Sequence, residues 1–166
     1  MAKFFFYTLL FIGLFCVETS LIASLPEPLN YIPLVLAASI FIIQYRSSWI
    51  GIFWLASYGL FLDLFGIASF KPQIIVYFLV GLVIWQLSKQ VFTNRSLYGI
   101  LGSGLVAYIL VTLSEIIVFL YRSYFLGSDL PLVDIANYYM FKLILFVLVL
   151  FIFFQISHVF QKQKNI

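Results

Sequence analysis

Residues 49–72 read WIGIFWLASYGLFLDLFGIASFKP, and this stretch decides what kind of protein the chain is. It is an apolar run long enough to cross a bilayer, with one aspartate, Asp63, near its end, Gly59 one helical turn earlier and Gly66 just after. A carboxylate in hydrocarbon is expensive, so Asp63 is expected to turn toward protein or water and to find a partner there. Identifying that partner is the larger part of the functional question.

The rest of the composition agrees with a membrane setting. Of 166 residues, 64% are hydrophobic and only 9% are charged, whereas a soluble domain has about a quarter of its residues charged. Mean hydropathy is +1.14. The gaps between apolar runs are short, so residues 1–166 are expected to form a single membrane domain. Nine Lys and Arg against six Asp and Glu is too small an excess to point to nucleic acid, and its placement carries more information than its total. The one cysteine, Cys16, has no partner for an internal disulfide. Bulky Leu14 and Phe15 before it exclude a lipoprotein anchor, leaving a small apolar residue in a helix.

Working outward, residues 4–25 form a first apolar run of about 22 residues, roughly 33 Å as helix. Lys3 precedes it; Pro26 and Pro28 follow. A cleaved signal peptide would use the basic start and the small residues Ala23 and Ser24. The run is long for that, and Glu18 interrupts its end, so retention is the expectation. Residues 31–45 are a shorter run with Pro33 in its first turn. The polar residues Gln44 to Ser48 then separate it from the span at 49–66. One uninterrupted helix across both would be roughly 54 Å, far beyond a bilayer, so two helices and a tight turn are expected. Residues 72–91 follow, then 97–121, on which Gly99, Ser103 and Ala107 recur every four residues as a face for close helix approach, widened by Gly102 and Gly104. After a loop with Gly127, Asp129, Pro131 and Asp134, residues 137–160 make the last span. The expected architecture is an all-α bundle of six transmembrane helices.

With a cytoplasmic N-terminus, the inside segments carry Lys3, Arg46, Lys89, Arg95, Lys162 and Lys164, and the outside segments carry Lys71 and Arg122. This obeys the positive-inside rule even with Lys142 counted outside, so both termini are expected in the cytoplasm. Counted at about 1.5 Å per residue, Glu18, Asp63 and Glu115 then all fall in the outer half of the membrane, and Lys142 enters the last helix at a similar depth. Lys71 and Arg122 sit at the boundary, where long side chains snorkel. The expectation is a buried charge cluster of Glu18, Asp63, Glu115 and Lys142. It either staples helices together, Glu115 to Lys142 first of all, or binds a ligand or partner, or conducts ions.

Catalytic chemistry is thin. His158 is the only histidine and has no nearby ligand to complete a metal site. Gly102, Ser103 and Gly104 superficially match an intramembrane serine protease, but Leu101 stands where that motif needs glycine, and packing explains the small residues more simply. No phosphate-binding glycine loop or HExxH occurs, so no catalytic residue, metal or cofactor is expected.

The arrangement is similar to the MreD family of bacterial rod-shape-determining membrane proteins. The likeness lies in the short proline-led second helix, the basic hinge at Gln44 to Ser48, a third helix ending Gly59-Leu-Phe-Leu-Asp63-Leu-Phe-Gly66, and a fourth helix running into a basic loop. It covers about residues 32–95. After Gly66, Ile67 to Lys71 replace a more glycine-rich ending. The resemblance implies a non-enzymatic subunit of the cell-elongation machinery in the bacterial cytoplasmic membrane. It would sit beside a bitopic MreC-type protein and, through it, a glycosyltransferase and transpeptidase pair that builds peptidoglycan. It also implies a six-helix architecture like that of the substrate-binding subunits of energy-coupling-factor vitamin transporters, with Gly59, Asp63 and Gly66 as the family motif. Three functions are therefore open: a scaffold for other membrane proteins, a capture subunit for a small vitamin-like molecule, and an ion carrier.

Overall fold

A computed structural model describes residues 2–46, 49–65, 73–91, 96–126 and 132–164. Helix α1 (Ala2–Cys16) continues into a π-helical turn, Val17–Ile22; a 3-10 turn, Leu29–Tyr31, leads to α2 (Leu34–Arg46), α3 (Trp49–Leu64), α4 (Gln73–Gln90), α5 (Leu97–Leu126) and α6 (Leu132–Lys164). Among the described residues every regular element is a helix.

The hub of the bundle is α2, which touches each of the other five helices. Its sequence explains the position: Val35, Leu36, Ala37, Ala38, Ser39, Ile40 and Ile43 are all buried, and a helix apolar on every side belongs in an interior. Its one polar residue in the middle, Ser39, donates its hydroxyl to the Val35 carbonyl at 2.7 Å and presents nothing unsatisfied. Pro33 stands just before the helix, where a missing N–H matters least, and its carbonyl accepts the Ala37 N–H at 3.1 Å.

Four stretches are long and apolar enough to cross a membrane: Phe5–Ile22, Gln73–Gln90, Leu97–Ile117 and Asn137–Ser157. Leu34–Tyr45 and Trp49–Leu64 are shorter apolar helices. The expected boundaries shift for physical reasons. Residues 29–31 wind into the 3-10 turn and Pro33 sets the start of α2, so this helix is shorter than the run 31–45. In the other direction α5 reaches Leu126 and α6 begins at Leu132, lengths of 30 and 33 residues, or about 45–50 Å against roughly 30 Å of hydrocarbon. The stretch around Asp134 is thus helical rather than loop.

Lipid is as apolar as leucine, so helices in a bilayer adhere through close packing and hydrogen bonds rather than through burial from water. Glycines supply the close packing. A Cβ at Gly51 would run into Ile43 and Ser39 of α2, one at Gly81 would meet Ile52 and Leu55 of α3 at 3.3 Å, and one at Gly104 would run into Leu150 of α6. The small-residue face of α5, Gly99, Ser103 and Ala107, is buried inside the bundle. Helix α1 packs on α2 and α3, largely through rings: Phe11 lies 5.5 Å from Trp54 and Phe15 lies 5.0 Å from Phe61.

Candidate functional site

The intramembrane acids gather toward the end of the bundle where α2, α4 and α6 begin. Asp63, in the last turn of α3, accepts the Gln73 N–H on Oδ1 at 2.9 Å and the Ile74 N–H on Oδ2 at 3.1 Å. These are the first two residues of α4, whose opening N–H groups have no partner within their own helix and whose dipole places partial positive charge at that point. Gly59, one turn earlier on the same face, is what lets α4 come so close: a Cβ there would lie 2.7 Å from the Gln73 carbonyl oxygen and 2.8 Å from the Ile74 Cα. Glycine and aspartate four residues apart thus form one device, the first admitting the start of α4 and the second capping it. Gly66, the third residue of the motif, lies outside the described residues.

Glu18 is engaged in the same way. It sits in the π-helical turn after α1, and its Oε2 accepts the N–H of Val35, in the first turn of α2, at 2.6 Å, while Oε1 accepts the Tyr58 hydroxyl of α3 at 2.6 Å. One carboxylate therefore ties the end of α1 to α2 and α3 together. The Tyr58 ring stands perpendicular to that of Tyr77 on α4, 5.1 Å between centroids.

Glu115 of α5 and Lys142 of α6 form the ion pair of the site. The Lys142 Nζ lies 3.4 Å from one Glu115 oxygen and 3.5 Å from the other, and their side chains are 15% and 26% exposed, lysine first. Tyrosines enclose them. The Tyr139 side chain hydrogen-bonds Glu115, Tyr138 hydrogen-bonds Lys142, and the Tyr108 hydroxyl donates to the Tyr139 carbonyl at 2.6 Å. Tyr31, from the turn before α2, packs edge-on against Tyr138 at 4.5 Å. Glu115 and Lys142 thus form a polar cluster in which tyrosines fill the gaps, while Glu18 is held by the Val35 N–H and the Tyr58 hydroxyl.

Within the expected group of Glu18, Asp63, Glu115 and Lys142, the acids have two kinds of partner. Glu115 has its lysine, but Glu18 and Asp63 take backbone N–H groups at helix starts, which neutralise a carboxylate without any basic side chain. Lys71 lies outside the described residues, as does the side chain of Arg122. The tyrosines were missed, although the sequence carries a signal for them. Tyr138 and Tyr139 precede Lys142 by four and three residues, and Tyr108 precedes Glu115 by seven, spacings that put each on the same helix face as the charge it serves.

Elsewhere the described residues offer little chemistry. The Ser103 hydroxyl is wholly buried and donates to the Ile100 carbonyl at 3.0 Å, and the His158 side chain lies outside the described residues. Among the described residues no three of His, Cys, Asp and Glu come together. At the opposite end of the bundle the Trp49 and Trp85 rings lie 4.6 Å apart and the Lys89 Nζ sits 3.7 Å over Trp85, an arrangement suited to a membrane boundary. No known protein family, curated protein or solved structure matches the chain.

Proposed function

We propose that this protein is a non-catalytic membrane scaffold of the MreD type. It would serve cell-wall elongation from the bacterial cytoplasmic membrane with six spans and both termini in the cytoplasm. The observation that carries this reading is the joint between Gly59, Asp63 and the first turn of α4. The residues on which the family resemblance rests are used to build the bundle, as befits a protein whose product is its shape. The two short helices fit a six-span layout because α2 is shielded from lipid by its five neighbours, and α3 is fastened to α4 at its last turn. The partners on this reading are a bitopic MreC-type protein and, through it, the peptidoglycan glycosyltransferase and transpeptidase pair. Affinity purification of the tagged chain from native membranes, with identification of what accompanies it, tests the proposal. Elongation proteins among the recovered partners and loss of rod shape on depletion are expected; neither being found would overturn it.

A second reading draws on the tyrosine-lined cluster. A partly exposed Glu115–Lys142 pair among aromatic rings has the chemistry to hold a small polar molecule, as a capture subunit of a vitamin-type transporter would. Recovery of the chain with an ATPase module and a bound vitamin would favour that function over the scaffold.

A further inference from the structure

We propose that a recess around Glu115 and Lys142 binds an ethanolamine-phosphate zwitterion, in which a primary ammonium and an anionic phosphodiester stand a few bonds apart. The proposal deepens the second reading above and rests on its premise that this cluster holds a small polar molecule; it does not touch the scaffold role. Helix geometry reveals the recess. On α5 the residues two before and two after Glu115, Leu113 and Ile117, are exposed, and on α6 Met140 and Ile144, placed likewise about Lys142, are exposed too. Two residues turn a helix by about 200°, so both charges point away from those flanks and into the bundle. Val111, one turn before Glu115, and Phe146, one turn after Lys142, share these inward faces and are buried. The Lys142 and Glu115 side chains nonetheless keep 15% and 26% of their surface open. The bundle is sealed at Val111 and Phe146 and stands open at the charges.

The pair itself is loose. Charge-assisted N–H···O contacts close to about 2.7–2.9 Å, whereas the Lys142 Nζ stands 3.4 and 3.5 Å from the two Glu115 oxygens. The ammonium has further donors, and the carboxylate further lone pairs, to give to a closer partner. Tyr138 and Tyr139 set their ring centroids 5.4 and 5.9 Å from the Lys142 nitrogen, and aromatic faces that accept one ammonium accept another. The neutrality of the pair selects the ligand. A lone anion on Lys142 would take away the counter-charge of Glu115, and a lone cation on Glu115 would do the same to Lys142, leaving a poorly solvated charge unpaired. A zwitterion gives its anionic oxygens to Lys142 and its ammonium to Glu115, so both stay neutralised as the pair parts. A primary ammonium is required, because a quaternary one has no N–H to donate to the carboxylate. The phosphodiester follows from the setting, since the bilayer around the bundle is a source of this headgroup; the free, deacylated molecule carries the same chemistry.

Thermal unfolding of the full chain in uncharged maltoside micelles, at constant ionic strength, tests the proposal. Glycerophosphoethanolamine or phosphatidylethanolamine should raise the melting temperature in a saturable way, as a ligand of the folded state does. Ethylammonium and dimethyl phosphate, each carrying one half of the zwitterion, should not do so at the same concentration. Glu115→Gln combined with Lys142→Met, a double change that strands no charge, should weaken binding at least about tenfold, as loss of hydrogen bonds to charged groups requires. The two sources separate in competition: stabilisation by the lipid that abolishes the response to the free molecule marks a headgroup site, and a response to the free molecule unchanged by the lipid marks a site for the soluble zwitterion. Equal stabilisation by ethylammonium or dimethyl phosphate would overturn the zwitterion while leaving the small-molecule reading standing. No stabilisation of the native chain by either zwitterion, or binding that survives the double neutralisation, would also overturn the proposal.

Discussion

Replacing Asp63 by alanine should detach the start of α4 from the end of α3. The substitution removes the acceptor for two backbone N–H groups, those of Gln73 and Ile74, at 2.9 and 3.1 Å. Gln73 is itself buried, so solvent reaches the freed groups poorly. An ordinary N-cap is worth about 1 kcal/mol, and a hydrogen bond to a charged group about 1.5–3 kcal/mol. Two such bonds share one carboxylate and are not additive, which gives an expected loss of about 2–4 kcal/mol. Asp63→Asn keeps one acceptor oxygen and loses the charge that the dipole of α4 favours, so roughly half of that loss is expected. Reversible unfolding in mixed micelles, followed by the tryptophan signal, measures both variants. A value for Asp63→Ala within about 0.5 kcal/mol of the native chain, the reach of an ordinary surface substitution, would refute the capping role.

Neutralising Glu115 and Lys142 together should be milder than neutralising either alone. Removing one partner strands a half-buried charge, which costs less than the about 3–5 kcal/mol of a fully buried one, so a double-mutant cycle on unfolding should give a coupling of at least about 1 kcal/mol; additive effects would dissolve the pair. Gly59→Ala should destabilise the bundle by about 1–3 kcal/mol, because the added Cβ meets the backbone of Gln73 and Ile74. Gly13→Ala, which meets nothing within 4 Å, should be neutral or slightly stabilising when the two are melted side by side. Tyr108→Phe should lower stability by about 1 kcal/mol through loss of the bond to the Tyr139 carbonyl, read by the same unfolding assay. A phosphatase fused to the carboxyl terminus should be inactive in cells and a cytoplasmic fluorescent reporter active; the reverse would reject the layout with both termini inside.

Much of the helix order was legible because apolar runs separated by short polar breaks leave few alternatives. Apolar runs do not mark where a helix outlasts its span: α5 continues past the polar Arg122 and Ser123 to Leu126, and α6 takes in Asp134, whose charge beside Gly127 and Pro131 looks like a connection. Nor do they show that residues 29–31 tighten into a separate turn. The depth of Glu115 and Lys142 on neighbouring helices was enough to bring them together on paper. The partners of Glu18 and Asp63 were not legible in that way, because backbone N–H groups at a helix start have no letter in the sequence. Seeing them required knowing that the first turn of α2 faces Glu18 and the first turn of α4 faces Asp63, which is tertiary information. The tyrosines, by contrast, stand at readable helical spacings from the charges.

The claim on which the rest depends is that the starts of α2 and α4 are capped by acids reaching across from other elements of the chain. Amide hydrogen exchange on the protein in nanodiscs tests it at the bonds themselves. The N–H groups of Val35, Gln73 and Ile74 should be strongly protected, with protection at Val35 falling in Glu18→Ala and protection at Gln73 and Ile74 falling in Asp63→Ala, each variant leaving the other site unchanged. Rapid exchange of these amides in the native chain, or protection that survives both substitutions, would contradict the account.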